Sequence, residues 1–186
     1  MTTFRDGTGG GYLAKVTNTN RVSVSAESFS GIAVASLDRA SAFSVGTQGT
    51  VSITTTGADS AILYLRNDSV SPLVVGGFVV SSTQTGTWTV RRNPTGGTIT
   101  TSGTALTPIN LNFSSGQAAS ATCFLGANGL TSTGGTVPLN GFTVAGFTVF
   151  DTAGAVVLEN GAILTLLYNP TVAATISANI ICAYGG

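Results

Sequence analysis

Apolar and polar residues alternate along most of the chain, with β-branched residues prominent. A period of two is the mark of strands half-buried in a sheet. The pattern predicts strands over residues 21–26, 50–56, 61–66, 73–81, 87–91, 109–113, 121–125, 142–150, 155–158, 162–168 and 175–184. No window of about 11 residues or more carries a capped helical stripe. Turn signals punctuate the runs: Asn67-Asp68, Asn93-Pro94 through Gly97, Asn128-Gly129, Asn140-Gly141, Asn160-Gly161 and Asn169-Pro170 among them. Many short strands at regular turn spacing predict an all-β fold, an antiparallel β-sandwich of jelly-roll-like build.

Two local features refine this reading. Gly-Phe-Thr-Val occurs at Gly141 and again at Gly146. On one straight strand, Phe142 and Phe147 would face opposite ways, so either both faces are buried or Gly146 marks a bulge that restores the side. The bulge is the expected solution. The first residues, with Gly7-Thr8-Gly9-Gly10-Gly11, read as an extended N-terminal arm over 1–20. A single sandwich domain is expected over 21–186.

Composition narrows the chemistry. The chain has 186 residues, 8% of them charged, with seven basic, seven acidic and no histidine. Ordinary domains carry about 25% charged residues. Without histidine there is no Ser-His-Asp or Cys-His pair and no His-ligated zinc. Two cysteines cannot cage zinc or an iron–sulfur cluster. A single lysine, Lys15, leaves no cationic stripe for nucleic acid. The mean hydropathy of +0.40 reflects scarce Lys and Glu rather than a membrane segment. The longest apolar runs, 73–80 and 161–168, fall far short of the roughly 20 residues that span a bilayer. The N-terminus has no apolar h-region, so synthesis in a cytosol without a secretory signal is expected. Cys123 and Cys182 are then expected as buried, reduced thiols. A neutral surface (pI about 6.0) is either kept soluble by Ser, Thr and Gly or covered by partners.

Individual candidates are weak. Gly7–Gly11 lacks the strand, helix and Gly-Lys-Ser/Thr of a phosphate loop. Asp151 and Glu159 bracket a hairpin-like segment and form the best pair of carboxylates for glycoside chemistry, though turn and strand-edge acids explain them as well. Arg91 and Arg92 are adjacent in a strand, so one must take the opposite face. If that one is inward, it needs Asp68, Asp151 or a neighbouring subunit. Trp88, between Thr87 and Thr89, reads as an inward core residue rather than a sugar platform. No catalytic, metal or cofactor residues are assigned.

One resemblance adds to this. Asp6-Gly-Thr-Gly-Gly-Gly-Tyr12, then Ala14-Lys-Val16 and Asn18-Thr-Asn20, resembles the opening of small virion proteins of tailed bacteriophages. Tyr64-Leu-Arg-Asn-Asp68, Leu73-Val-Val75 and Trp88-Thr-Val90 with Arg92-Asn-Pro-Thr-Gly-Gly97 are similar too, while Val22 stands where that pattern commonly has Leu. The resemblance implies a capsid decoration or cement protein. Such a protein is a homo-oligomer, typically a trimer, seated on the virion surface. Its partners would be the major capsid protein and copies of itself, with no enzymatic activity, cofactor, nucleic acid, membrane or small-molecule substrate. Phe4, Arg5, Asp6 and Tyr12 form the candidate partner-contact arm, able to add to a sheet edge. The rival functions are a tail or fibre component binding a host surface glycan, and a depolymerase.

Overall fold

The computed structural model describes residues 41–184, together with the paired segments β1 (Lys15–Val16) and β2 (Val22–Ser23). The chain divides into two compact units, Met1–Ser30 and Gly31–Gly186. In the first, β1 and β2 pair antiparallel, Lys15 opposite Ser23. Phe4, Arg5, Asp6, Tyr12 and the Gly7–Gly11 run lie outside the described residues.

The second unit is an all-β antiparallel sandwich. Eight strands build its frame: β3 (Ala42–Gly46), β5 (Ser60–Asn67), β6 (Leu73–Ser82), β7 (Gly86–Arg92), β13 (Thr136–Thr143), β14 (Gly146–Leu158), β15 (Ile163–Pro170) and β16 (Ala174–Tyr184). One sheet runs β3-β16-β6-β14 and the other β13-β7-β15-β5. The pairing is nested. β7 pairs with β13, β6 with β14, β5 with β15 and β3 with β16, so the frame is one long hairpin rolled into two layers.

Short strands decorate the frame. β4 (Val51–Ile53) pairs with β16. The tip of the long hairpin, residues 93–135, holds β8 (Gly96–Gly97), the single-turn helix α1 (Ile99–Ser102), β9 (Thr104–Leu106), β10 (Ile109–Asn110), β11 (Ala121–Leu125) and β12 (Ser132–Thr133). This excursion folds back on one edge of the sandwich. There β11 pairs with β5 and β10 with β3.

The two sheets meet over a continuous core. Phe43, Ile53, Leu63, Leu65, Phe78, Trp88, Leu166, Tyr168, Ile176 and Ile180 are all buried in it. Burying each such side chain stabilises the fold by about 1.5–3 kcal/mol. β5 is buried on both faces, because the excursion lays Ile99 and Phe124 over Ala61 and Tyr64 on its outer side. That is why residues 61–65 lack a polar alternate.

Three strand expectations need correction. Residues 142–150 form two strands in different sheets, with the chain turning at Val144-Ala145 and Gly146 at φ 124°. The ladder from Gly146 to Asp151 is regular, so there is no bulge at Gly146. Its positive φ serves the turn, where glycine is the favoured residue. β3 carries no strong alternation signal, because Ala42 and Ser44 flank a single Phe43-Val45 pair. The strand expected over 109–113 stops at Asn110, where the Asn110 and Asn112 side-chain oxygens accept from the backbone N–H two residues on and bend the chain.

Candidate functional site

The expected site residues that are described do not converge. Asp151 pairs in register with Gly77 and Leu158 with Leu73, so Asp151 lies in the middle of β14 and Glu159 just past its end, rather than around a hairpin. Four residues of β6 separate those positions, about 13 Å at strand rise. Glycosidase carboxylates flank one bond at about 5–9.5 Å.

Neither adjacent arginine enters the core. Arg91 lies opposite Thr165 on the outer face, and its Nη1 donates to the Gly134 carbonyl at 2.9 Å. Its partner is thus the excursion, not Asp68 or Asp151. Arg92 is exposed at the strand end. Asp68 is held elsewhere: Arg66 Nε donates to it at 2.6 Å and the Thr122 hydroxyl at 2.6 Å. Burial pushes the Asp68 carboxyl up, but those hydrogen bonds and the Arg66 charge outweigh it and lower its pKa.

Both thiols are free and buried, as expected. Burial pushes each up to about 12, so both stay protonated at neutral pH and are poor nucleophiles. Among the described residues no cluster of three metal-ligating side chains occurs, and no helix is long and apolar enough to cross a membrane.

The feature that stands out is one that strand patterning missed. β13 ends one sheet and β14 the other, at the same side of the sandwich. Eleven large hydrophobics are exposed in the described chain, and seven belong to this pair or its turn: Val137, Leu139, Phe142, Val144, Phe147, Val149 and Val157. Phe142 is 67% and Phe147 69% exposed. The signal was present in the doubled Gly-Phe-Thr-Val run, once it is read as two edge strands.

Between these strands the sandwich stays open. A cleft of about 450 Å³ reaches inward between the sheets, lined by Phe78, Trp88, Val90, Leu139, Val149, Phe150, Val156 and Leu166, with Asn140, Asp151 and Thr152 as polar neighbours. The Thr152 hydroxyl is committed to the Val75 carbonyl. Phe150 leans across the opening so closely that a Cβ on Gly141 would lie 2.9 Å from its ring.

Trp88 forms part of the inner wall. It is 3% exposed, as its alternation predicts, and stacks on Tyr168 with ring centroids 4.4 Å apart. The Tyr168 hydroxyl donates to the Gln84 carbonyl at 2.8 Å and lies 2.6 Å from the Ser82 hydroxyl, which fixes that ring. The indole N–H of Trp88, by contrast, has no acceptor among the described residues. Buried Trp N–H groups usually find one.

Among the described residues, the arrangement offers apolar area, two strand edges without a further partner and one indole N–H without an acceptor. No family model, curated protein or solved structure matches this chain.

Proposed function

We propose that the chain is a structural virion protein of a tailed bacteriophage, a jelly-roll domain that decorates and stabilises the capsid surface as a homo-oligomer, a trimer in the first instance. The nested pairing supports the jelly-roll reading, since eight strands in two sheets wrapped from one long hairpin are that architecture. The observation that carries the functional reading is the apolar β13–β14 edge. Seven exposed hydrophobics lie on these two strands and their turn, Phe142 on the outer face of one sheet and Phe147, Val149 and Val157 on that of the other, on a domain whose described residues 41–184 hold only Asp59, Arg66, Asp68, Arg91, Arg92, Asp151 and Glu159 as charges. A long exposed apolar edge invites association unless it is covered in the working assembly.

As a cement protein, the domain would act by burying surface between capsid subunits, with the major capsid protein as its other partner. The test is its copy number in purified particles of the phage that encodes it, by quantitative gel. Hundreds of copies per particle are expected. A dozen copies would move it to the tail, and none would remove it from the virion.

The second reading is a tail or fibre component that binds a host glycan. The Asn140 and Asp151 side chains beside the aromatic cleft favour it. Against it, Trp88 is walled in by Tyr168 and offers no open ring face for a sugar.

A further inference from the structure

We propose that the cleft between β13 and β14 binds a small neutral molecule: an alcohol, ketone or ester with an apolar body and an oxygen acceptor. This goes beyond the virion reading and does not depend on it.

The cleft continues the core. Residues directly opposite each other on paired strands share a face of the sheet. Leu139 lies opposite Val90 and Gly141 opposite Trp88, while Phe150 lies opposite Phe78 and Val156 opposite Val75. Val90, Trp88, Phe78 and Val75 are buried between the sheets, so Leu139, Phe150 and Val156 face inward too. Yet Leu139 is 40% exposed, and Phe150 and Val156 are only half-buried. These accessible inward side chains line the volume of about 450 Å³. Small-molecule sites are of this kind, about 300–1,000 Å³ with mostly apolar walls and a few placed polar groups.

Three features select the occupant. The first is width. Packed sheets lie about 10 Å apart, and the Phe150 ring reaches so close to Gly141 that a Cβ there would lie 2.9 Å from it. A helix, about 10–12 Å across with its side chains, does not pass such an opening, whereas an alkyl chain or a flat ring does. The second is a donor. Trp88 lines the cleft, is 3% exposed, and its N–H has no acceptor among the described residues. An unpaired buried donor is costly, and a ligand oxygen removes that cost where a hydrocarbon or an ammonium group, which accept nothing, cannot.

The third is charge. Asp151 is the only charged side chain among the described residues of the lining, and the Thr152 hydroxyl is committed to the Val75 carbonyl. A carboxylate head at this mouth would meet a like charge, which discriminates against it. An apolar body with a neutral oxygen is what remains.

Trp88 is the only tryptophan, so the isotope-labelled full chain gives one indole N–H cross-peak, and that peak reports on the cleft. The experiment titrates it with n-octanol, and with octanoate and octylammonium as the same chain under other heads. n-Octanol is expected to shift the peak saturably, at one ligand per chain. n-Hexanol, two methylenes shorter, should bind about tenfold more weakly. Octanoate should bind at least about fivefold more weakly than n-octanol, and Asp151→Asn should narrow that gap while leaving n-octanol unchanged. Leu139→Phe adds bulk to the cleft from a partly exposed position, so the fold should persist, with circular dichroism and a cooperative melt as the check. It should weaken n-octanol by about tenfold.

An indole peak that does not respond saturably to n-octanol would overturn the site. So would undiminished binding to Leu139→Phe, or octanoate binding as tightly as n-octanol. A peak that shifts with protein concentration alone would show the cleft filled by another copy, and would equally refute the small-molecule site. Copy number in particles tests the virion reading and leaves these readouts unaffected.

Discussion

The two edges of the sandwich are treated in opposite ways. At the β3/β5 edge the 93–135 excursion returns to close both sheets. Leu130 accepts from the Ala61 N–H at 2.7 Å, the Ile62 carbonyl accepts from Gly126 at 2.7 Å, and Ala42 accepts from Leu111 at 2.9 Å. Asn128 Oδ1 accepts from both Thr54 and Thr55, and the Tyr184 hydroxyl donates to Ser120 at 2.8 Å. Arg66, Asp68 and Thr122 tie β5 to β11 with charge-assisted bonds. At the β13/β14 edge there is no such cover among the described residues, and large apolar side chains are exposed. Forty-three residues close one edge, whereas no described segment pairs with the other.

The largest expected effect that separates core from edge comes from paired truncations. Phe43→Ala, at 1% exposure between the sheets, should cost about 3–5 kcal/mol in urea unfolding. Phe142→Ala should change the stability of the dissociated chain by less than about 0.5 kcal/mol. Comparable losses at both positions would mean that the edge is part of the fold rather than a surface.

Next comes Asn67, fully buried where the β5–β6 turn meets the end of β14. Its amide donates to the Leu158 carbonyl at 2.8 Å and the Ser71 carbonyl at 2.9 Å, and its oxygen accepts from Ser69. Asn67→Ala should destabilise by about 1–3 kcal/mol, since the buried Leu158 carbonyl is left unpaired. A neutral result would show that water replaces the amide.

The covered outer face should also have a replaceable polar group. Thr165 is fully buried on the outer face of β15, and its hydroxyl has no partner among the described residues. Thr165→Val keeps the shape and removes the desolvated hydroxyl, so a gain of about 1 kcal/mol in chemical denaturation is expected. A loss of stability would reveal a hydrogen bond at that hydroxyl.

The smallest effect is the pH response of the closed edge. Because the folded pKa of Asp68 is lowered, its contribution is present above the ordinary carboxylate range. It is lost as pH falls through the folded value. The pair is substantially exposed, so Asp68→Asn should cost less than about 1 kcal/mol at neutral pH and flatten the acid limb of the stability profile. An unchanged acid limb would remove Asp68 from the closure of that edge.

Much of the sandwich was legible as strand patterning, because one buried face imposes the period of two on β6, β7 and β16. β5 was legible as a strand for a different reason, a continuous apolar run buried on both faces. What could not be read was pairing. Nothing local tells that 136–143 and 146–158 belong to opposite sheets, since the two-residue turn resembles a bulge. In the excursion only β11, expected at 121–125, and the start of β10 were legible: the other elements are two to four residues long and carry no periodic signal. The exposed β13–β14 pair escaped for the same reason. Phe142 and Phe147 read as core in a strand context, and only the topology exposes them.

Hydrogen exchange at β14, in dilute and in concentrated solution, tests the central claim most directly. Alternate amides of this strand bond to β6, and the others point away from the sheet. If a second copy covers the edge, the outward amides of β13 and β14 gain protection as concentration rises, while those of the excursion-covered β3/β5 edge stay constant. Equal exchange at the β13–β14 edge in both solutions would contradict the account.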